Sequence, residues 1–270
     1  HINEVYPVFG ASATIRDTVT FEPGDDIRME RIVVNTGTLN YSVRSVSLAA
    51  ASFTITLPSV LIAGSPVSHV INIPANTTVT GSFSLNNADV DLSRDLKKRY
   101  NRLPVEYTFA ATSGSFAITD LMYVTMDIPA PDFDYAKGYF GNKTESIDDD
   151  TLDLEIEDIL DKISGEFLLS SPSITLNYSN SFSIPVEVDL EATGYRADET
   201  TEHGLGLVNL KYPVAPGERD ISGSFVIDKI NSSLPALISM PPDMIILRGT
   251  ARMNPDGNNG SRDNYIFGNS

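Results

Sequence analysis

The chain contains no cysteine, which excludes disulfides, thiolate metal sites and cysteine nucleophiles. Histidine is nearly as scarce, with three in 270 residues. His1 is terminal, His69 lies in the strand-like VSHVINI, and His203 lies in the charged loop ADETTEHG. Spacing alone joins none of them into a catalytic dyad. No Gly-rich phosphate loop, HExxH or GxSxG is present either. No catalytic residue is assigned, and the expectation is a non-enzyme. Basic residues are outnumbered, 19 Lys and Arg against 36 Asp and Glu, giving a formal charge of −17. Such a surface repels phosphate backbones and anionic lipid, so neither nucleic acid nor direct membrane adhesion is expected. No run approaches the roughly 18 apolar residues of a membrane helix.

What the chain does have is alternation. In Ser171–Ala192, Ile174, Leu176 and Tyr178 share one face and Thr175, Asn177 and Ser179 the other. After a polar turn, Ile184, Val186, Val188 and Leu190 alternate with Glu187, Asp189 and Glu191. Successive strand side chains point to opposite faces, so these are two half-buried strands. Similar runs recur from Met29 to Ile128 and from Leu205 to Arg252. Helix candidates are few and short: Asp91–Tyr100 with Ser93 as its cap, Glu157–Ile163, and Ser232–Met240 interrupted by Pro235.

With so few helices to cover them, the strands must cover each other. The fold expected is mainly β, two tandem antiparallel β-sandwich domains of immunoglobulin-like or LEA2-like type with a few short helices. Pro129-Ala130-Pro131 punctuates the pattern, so the domains are drawn as 1–131 and 132–270, with Asp132–Gly141 as a linker or first edge. The second domain is read as a duplicate of the first, continuing beyond Ser270. The echo behind this reading is Pro74-ANTTVT-Gly81-Ser82-Phe83 against Pro216-GERDIS-Gly223-Ser224-Phe225. Thr54–Leu57 and Ser173–Leu176 supply a second, shorter match.

Candidate binding residues are aromatic. Tyr135, Tyr139 and Phe140 cluster in DYAKGYFG, and Tyr195 lies downstream; such rings stack on sugars, dock partners or pack at a junction. No cofactor is required. Ca²⁺ is the one metal considered, at Asp148–Asp150 or at Asp256, Asn258 and Asp263, where oxygen ligands gather around glycines. The second loop lacks the distal glutamate of an EF-hand, and Arg262 opposes a cation there. Carboxylate pairs such as Asp132/Asp134 and Asp153/Glu155 read as solvated strand faces.

Gly138–Gly141 (GYFG), Pro172–Leu176 (PSITL), Asn180–Leu190 (NSFSIPVEVDL) and Ala251–Gly257 (ARMNPDG) carry a family likeness. In them the chain resembles uncharacterised exported proteins of the Bacteroidetes, often lipoproteins. The Ile184-Pro185-Val186 strand also resembles the β-sandwich of late-embryogenesis-abundant group 2 domains. The first resemblance implies a periplasmic, cell-surface or outer-membrane-associated protein, held by a lipid on an N-terminal cysteine removed from this sequence, which opens at His1. Asp17-Thr18-Val19 and Asp150-Thr151-Leu152 match the short O-glycosylation pattern of that lineage, which puts Thr18 and Thr151 on the surface. The function expected is a non-enzymatic envelope interaction or scaffold protein with other envelope proteins as partners. A lipid carrier with a groove under a curved sheet, and a glycan-binding surface module, are the alternatives.

Overall fold

The computed structural model describes residues 2–24, 26–95, 97–153, 171–196, 199–239, 242–257 and 264–268. The chain forms two compact units, one of His1–Phe140 with Tyr265–Ser270 and one of Gly141–Asn264. Both are built of antiparallel strands.

The first unit holds β1 (Ile2–Pro7), β2 (Ser12–Thr20), β3 (Arg28–Thr36), β4 (Thr38–Val46), β5 (Ala51–Ile62) and β6 (Ser65–Ile73). It continues through β7 (Thr78–Ser84), β8 (Ala88–Asp91), β9 (Arg102–Ala111), β10 (Leu121–Asp127) and β11 (Asp132–Tyr139). One sheet runs β1-β10-β4-β7. The other runs β11-β3-β8-β5-β9-β2, with β6 added on β5. Alternate residues of the two sheets meet in one core: Phe53, Ile55 and Leu57 of β5, Val105, Tyr107 and Phe109 of β9, and Met122, Val124 and Met126 of β10. Burial of each such side chain contributes roughly 1.5–3 kcal/mol, which an uncovered sheet could not gain.

The second unit holds β12 (Lys143–Asp153), β13 (Ile174–Asn180), β14 (Val186–Arg196), β15 (Glu199–Leu210), β16 (Ile221–Ile227), a helix α1 (Leu234–Ser239) and β17 (Met244–Met253). Its sheets run β12-β17-β14-β15 and β13-β16. Leu234 and Leu237 of α1 are fully buried against Ala192, Leu205, Ile227 and Ile245. Pro235 sits in the first helical turn, where its missing N–H costs nothing. A last strand, β18 (Asn264–Phe267), pairs with β11.

Three expectations need correction. Asp91–Tyr100 is not a helix: β8 ends at Asp91, and an irregular segment follows. Asp91 accepts from the Ser93 amide at 2.9 Å, and Asp95 accepts from the Lys97 and Lys98 amides at 2.7 and 3.2 Å. These carboxylates capture the N–H groups that a helix would need. Asp132–Tyr139 is not a linker, because it pairs with β3 along its length. The contact boundary therefore falls at Phe140/Gly141, not after Pro131. His203 lies in β15 opposite Ala192, not in a loop. The two alternating runs of Ser171–Ala192 also do not pair with each other; they enter different sheets as β13 and β14. The helix candidate Glu157–Ile163 lies outside the described residues.

The two units share a strand plan. The path β2-β9-β5-β6 matches β12-β17-β14-β15, and the pair β4-β7 matches β13-β16. Thr38-Leu39-Asn40-Tyr41-Ser42 and Thr175-Leu176-Asn177-Tyr178-Ser179 are identical in sequence. Their pairing is identical too: Leu39 faces Phe83 and Tyr41 faces Gly81, while Leu176 faces Phe225 and Tyr178 faces Gly223. Ala51 pairs with Ile73 and Ala111, as Val186 pairs with Leu210 and Met253. On the same registers Thr18 lies opposite Pro104 and Thr151 opposite Ile246. The Gly-Ser-Phe echo thus marks equivalent strands. The Thr54/Ser173 match does not, since β5 and β13 hold different places.

Candidate functional site

A network of polar side chains in the first unit is organised by the segment after β8. Asn101 (buried, φ +56°) anchors it, donating to the Ile27 carbonyl at 2.6 Å and accepting from the Met29 amide at 2.7 Å. Asparagine tolerates this left-handed backbone because its short amide can bond locally. Asp95 pairs with Arg102 at 3.1 Å and accepts from the Thr18 hydroxyl at 3.2 Å. The Lys97 amide, with Arg102 and the Lys98 amide, holds the Asp95 carboxyl below its ordinary range. Burial pushes Asp91 up, but the hydrogen bonds from Ser93 and Arg94 outweigh it and the net shift is downward.

These groups border an open cleft of about 350 Å³, whose charged lining includes Arg16, Arg94 and Lys97 with Asp17, Asp95 and Glu106. Arg16 pairs with Glu106 at 2.8 Å and Arg94 with Asp91 at 2.9 Å. Signs are balanced, so the cleft favours neither anions nor cations. It offers a polar ligand hydrogen bonds from both signs of side chain. Burial raises Tyr6 and Tyr107, and the hydrogen bond from Tyr6 to Asp17 adds to the rise at Tyr6, so neither phenol ionises near neutrality.

Beside this segment Arg28 holds Asp26 with a forked hydrogen bond at 2.8–3.1 Å and lies over Tyr100 and Tyr139, 5.4 and 5.7 Å from their centroids. The Tyr139 face is therefore occupied by a guanidinium, a cation–π contact. Tyr135 meets Tyr265 edge-on at 5.6 Å, and Phe140 is buried. The three aromatics of DYAKGYFG thus have separate neighbours and form no common platform. Tyr195 belongs to the second unit, half-buried near the end of β14.

Asp256 is exposed in a turn pinned by buried Asn254, which donates to the Gly141 carbonyl at 2.7 Å and accepts from Asn264 at 3.0 Å. Asn258 and Asp263 lie outside the described residues. Asp148–Asp150 sits at a bulge of β12, with Asp149 paired to Arg248 at 3.1 Å. Among the described residues no group of three His, Asp or Glu could hold a metal ion. Thr18 is half-buried and engaged with Asp95, whereas Thr151 is exposed. His69 stacks on Phe83 at 4.7 Å.

Sequence reasoning missed the other notable feature, the edge of β13 opposite β16, along which no described strand lies. The exposed Phe182 lies two residues past the end of β13, and Leu176 is half-buried where its counterpart Leu39 is buried. The repeated TLNYS, matched between units, is the signal that leads to this edge.

No family model and no curated protein matches the chain. Among solved structures it is similar to a chain of the T=1 Penaeus vannamei nodavirus particle, at 7% identity and TM-score 0.21, covering 99% of this chain and 98% of that one. It is also similar to the D431N VP2 protein of infectious bursal disease virus in T=1 particles, at 10% identity and TM-score 0.22, covering 99% and 44%. At such TM-scores neither likeness informs fold or function; the all-β architecture rests on the strands themselves.

Proposed function

We propose that the chain is a non-enzymatic interaction or scaffold protein of the cell envelope, an accessory part of an outer-membrane or cell-surface assembly. The observation that carries this reading is the repetition of one strand plan in two units, down to identical cross-strand pairs. Repetition of one strand framework in two units suits a structural role. The envelope location follows from the family resemblance.

The carrier alternative draws less support. The apolar helix Leu234–Ser239, which could otherwise line a groove, fills the second core with Leu234 and Leu237. In the first unit the apolar pocket beside Phe21, Leu57 and Leu103 holds about 40 Å³, against the roughly 300 Å³ or more that ligand sites offer. The glycan alternative needs exposed ring faces, and Tyr139 gives its face to Arg28. Native mass spectrometry of the protein released gently from its own envelope tests the proposal. Stoichiometric protein partners are expected. A monomer carrying a releasable lipid would overturn the scaffold reading in favour of the carrier.

A further inference from the structure

Independently of the scaffold reading, we infer that one end of the first unit is a lipid-facing tip, which seats Phe9, Leu48 and Ile118 in the interfacial layer of a net-neutral bilayer. Four loops gather at that end: 8–11 between β1 and β2, 47–50 between β4 and β5, 74–77 between β6 and β7, and 112–120 between β9 and β10. Asp120 ties them together. Its carboxylate accepts from the Ser47 hydroxyl at 2.6 Å and from the Ala117 amide at 2.9 Å, and its carbonyl accepts from the Val8 amide at 3.1 Å. Gly10 and Phe116 exchange backbone hydrogen bonds at 2.8 and 3.0 Å, and the Asn76 amide donates to the Ser47 carbonyl at 2.8 Å. Every residue of the four loops is described.

Around this tie the core anchors the loops and turns three large apolar side chains outward. Val8, Ser47, Ala49 and Phe116 are buried, whereas Phe9, Leu48 and Ile118 are 69, 93 and 86% exposed. With both its neighbours buried, Leu48 projects from the surface instead of lying along it. The loops hold no Lys, Arg or Glu, and their single Asp is the engaged Asp120. That neutrality continues into the strands: Val5–Ile15, Ser45–Ala88 and Tyr107–Thr119 hold no Asp, Glu, Lys or Arg, in a chain of formal charge −17. On β4 the cation nearest the loops, Arg44, stands between Thr78 and Tyr123 and lies 5.2 Å from the Tyr123 ring centroid.

Apolar side chains that protrude together from several loops need a medium that surrounds them. A bilayer interface does so. A strand or helix covers an edge or fills a groove, and would leave much of a side chain as exposed as Leu48 bare. The chain's own longest undescribed stretch, 154–170, carries Glu155, Glu157, Asp158, Asp161 and Glu166, and the loops offer it no cation. Backbone groups already bonded between the loops lower the cost of leaving water. Arg44 and Tyr123, a little further along the strands, are of the residue types that sit at headgroup level. The acidity that repels anionic lipid lies outside these loops, so the lipid that fits is zwitterionic.

The chain contains no tryptophan, so Leu48→Trp places a single reporter in the 270-residue protein. In the free protein its emission should be that of a solvated indole. With phosphatidylcholine vesicles it should shift to the blue and be quenched by lipid brominated near the headgroup. Ile230→Trp, at an 86% exposed position of the second unit, should not respond. The unsubstituted chain should float with these vesicles at about 1 mM lipid, and less with phosphatidylglycerol vesicles at low salt. Leu48→Ser combined with Ile118→Ser should weaken binding about tenfold or more without loss of fold, since both side chains are exposed. No flotation, equal flotation of the doubly substituted protein, preference for the anionic vesicles, or an equal response at position 230 would overturn the inference. Blue emission from the position-48 reporter in the free protein would also overturn it, by showing that the chain's own residues cover this end. So would a protein partner that protects Val8–Ala11 and Ser47–Ala50 from hydrogen exchange in place of lipid.

Discussion

Gly81 and Gly223 give the sharpest test of the repeated cassette. A Cβ on Gly81 would lie 2.5 Å from the Tyr41 hydroxyl oxygen and 2.7 Å from the ring carbon bearing it; one on Gly223 would meet the same atoms of Tyr178. Each glycine exists so that a cross-strand tyrosine can lie over the backbone. Neither needs a left-handed backbone, so alanine is conformationally permitted. At an open strand position, Gly→Ala would stabilise by about 0.5–1 kcal/mol through reduced backbone entropy of the unfolded chain. In Gly81→Ala the tyrosine must instead swing away from His69 and Phe83, whose centroids lie 5.6 and 6.4 Å from its own. Two aromatic contacts at about 0.5–1.5 kcal/mol each exceed the entropic gain, so the net expectation is a loss of about 1–2 kcal/mol. Urea titration read by hydrogen-exchange mass spectrometry reports each unit separately. The loss should appear in first-unit peptides and vanish in the Tyr41→Ala background, giving a coupling of about 1 kcal/mol or more in the double-mutant cycle. A stabilised Gly81→Ala, or strict additivity with Tyr41→Ala, would refute the ring-over-glycine account. Gly223→Ala should behave likewise, since moving Tyr178 also removes the acceptor of the Lys211 amide at 3.0 Å.

Leu237→Ala should destabilise the second unit by about 2–5 kcal/mol, because the side chain is fully buried in a small core; urea midpoints of first-unit peptides should not move. Gly138→Ala places a Cβ against the Arg28 carbonyl and 2.9 Å from the Met29 Cα, both backbone atoms of β3. The expected outcome is a cost of about 1–3 kcal/mol or more, with lost exchange protection over Asp132–Tyr139; unchanged protection would contradict the packing described. Asp95 has its carboxyl held below the ordinary value of 3.8 by the Lys97 amide and Arg102. A depressed folded value means stability that is present above pH 3.8 and lost as pH falls through the folded value. Asp95→Asn should therefore flatten the acid limb of first-unit stability, measured by circular dichroism from pH 6 to pH 2; an unchanged limb would count against the Asp95 network.

The sequence by itself determined which side chains face inward. The alternation in Phe53–Leu57 and Ile174–Tyr178 reads directly as half-buried strands, because the side-chain period of a strand is two and burial follows it. The scarcity of helix, the acidic surface and the Gly-Ser-Phe echo were equally legible. Which strands become neighbours was not. Alternation says what a face wants, not who lies beside it, so β13 and β14, adjacent in sequence, enter different sheets while Tyr178 finds Gly223 from far along the chain. Local side-chain chemistry defeated the helix expected at Asp91–Tyr100, where aspartates claimed the amide groups. Pro129–Pro131 looked like a boundary because proline ends ladders, yet it only connects β10 to β11 within one unit. Tertiary pairing alone decided that β18 lies beside β11 rather than beside β13, because hydrogen-bonding edges carry no sequence pattern of their own.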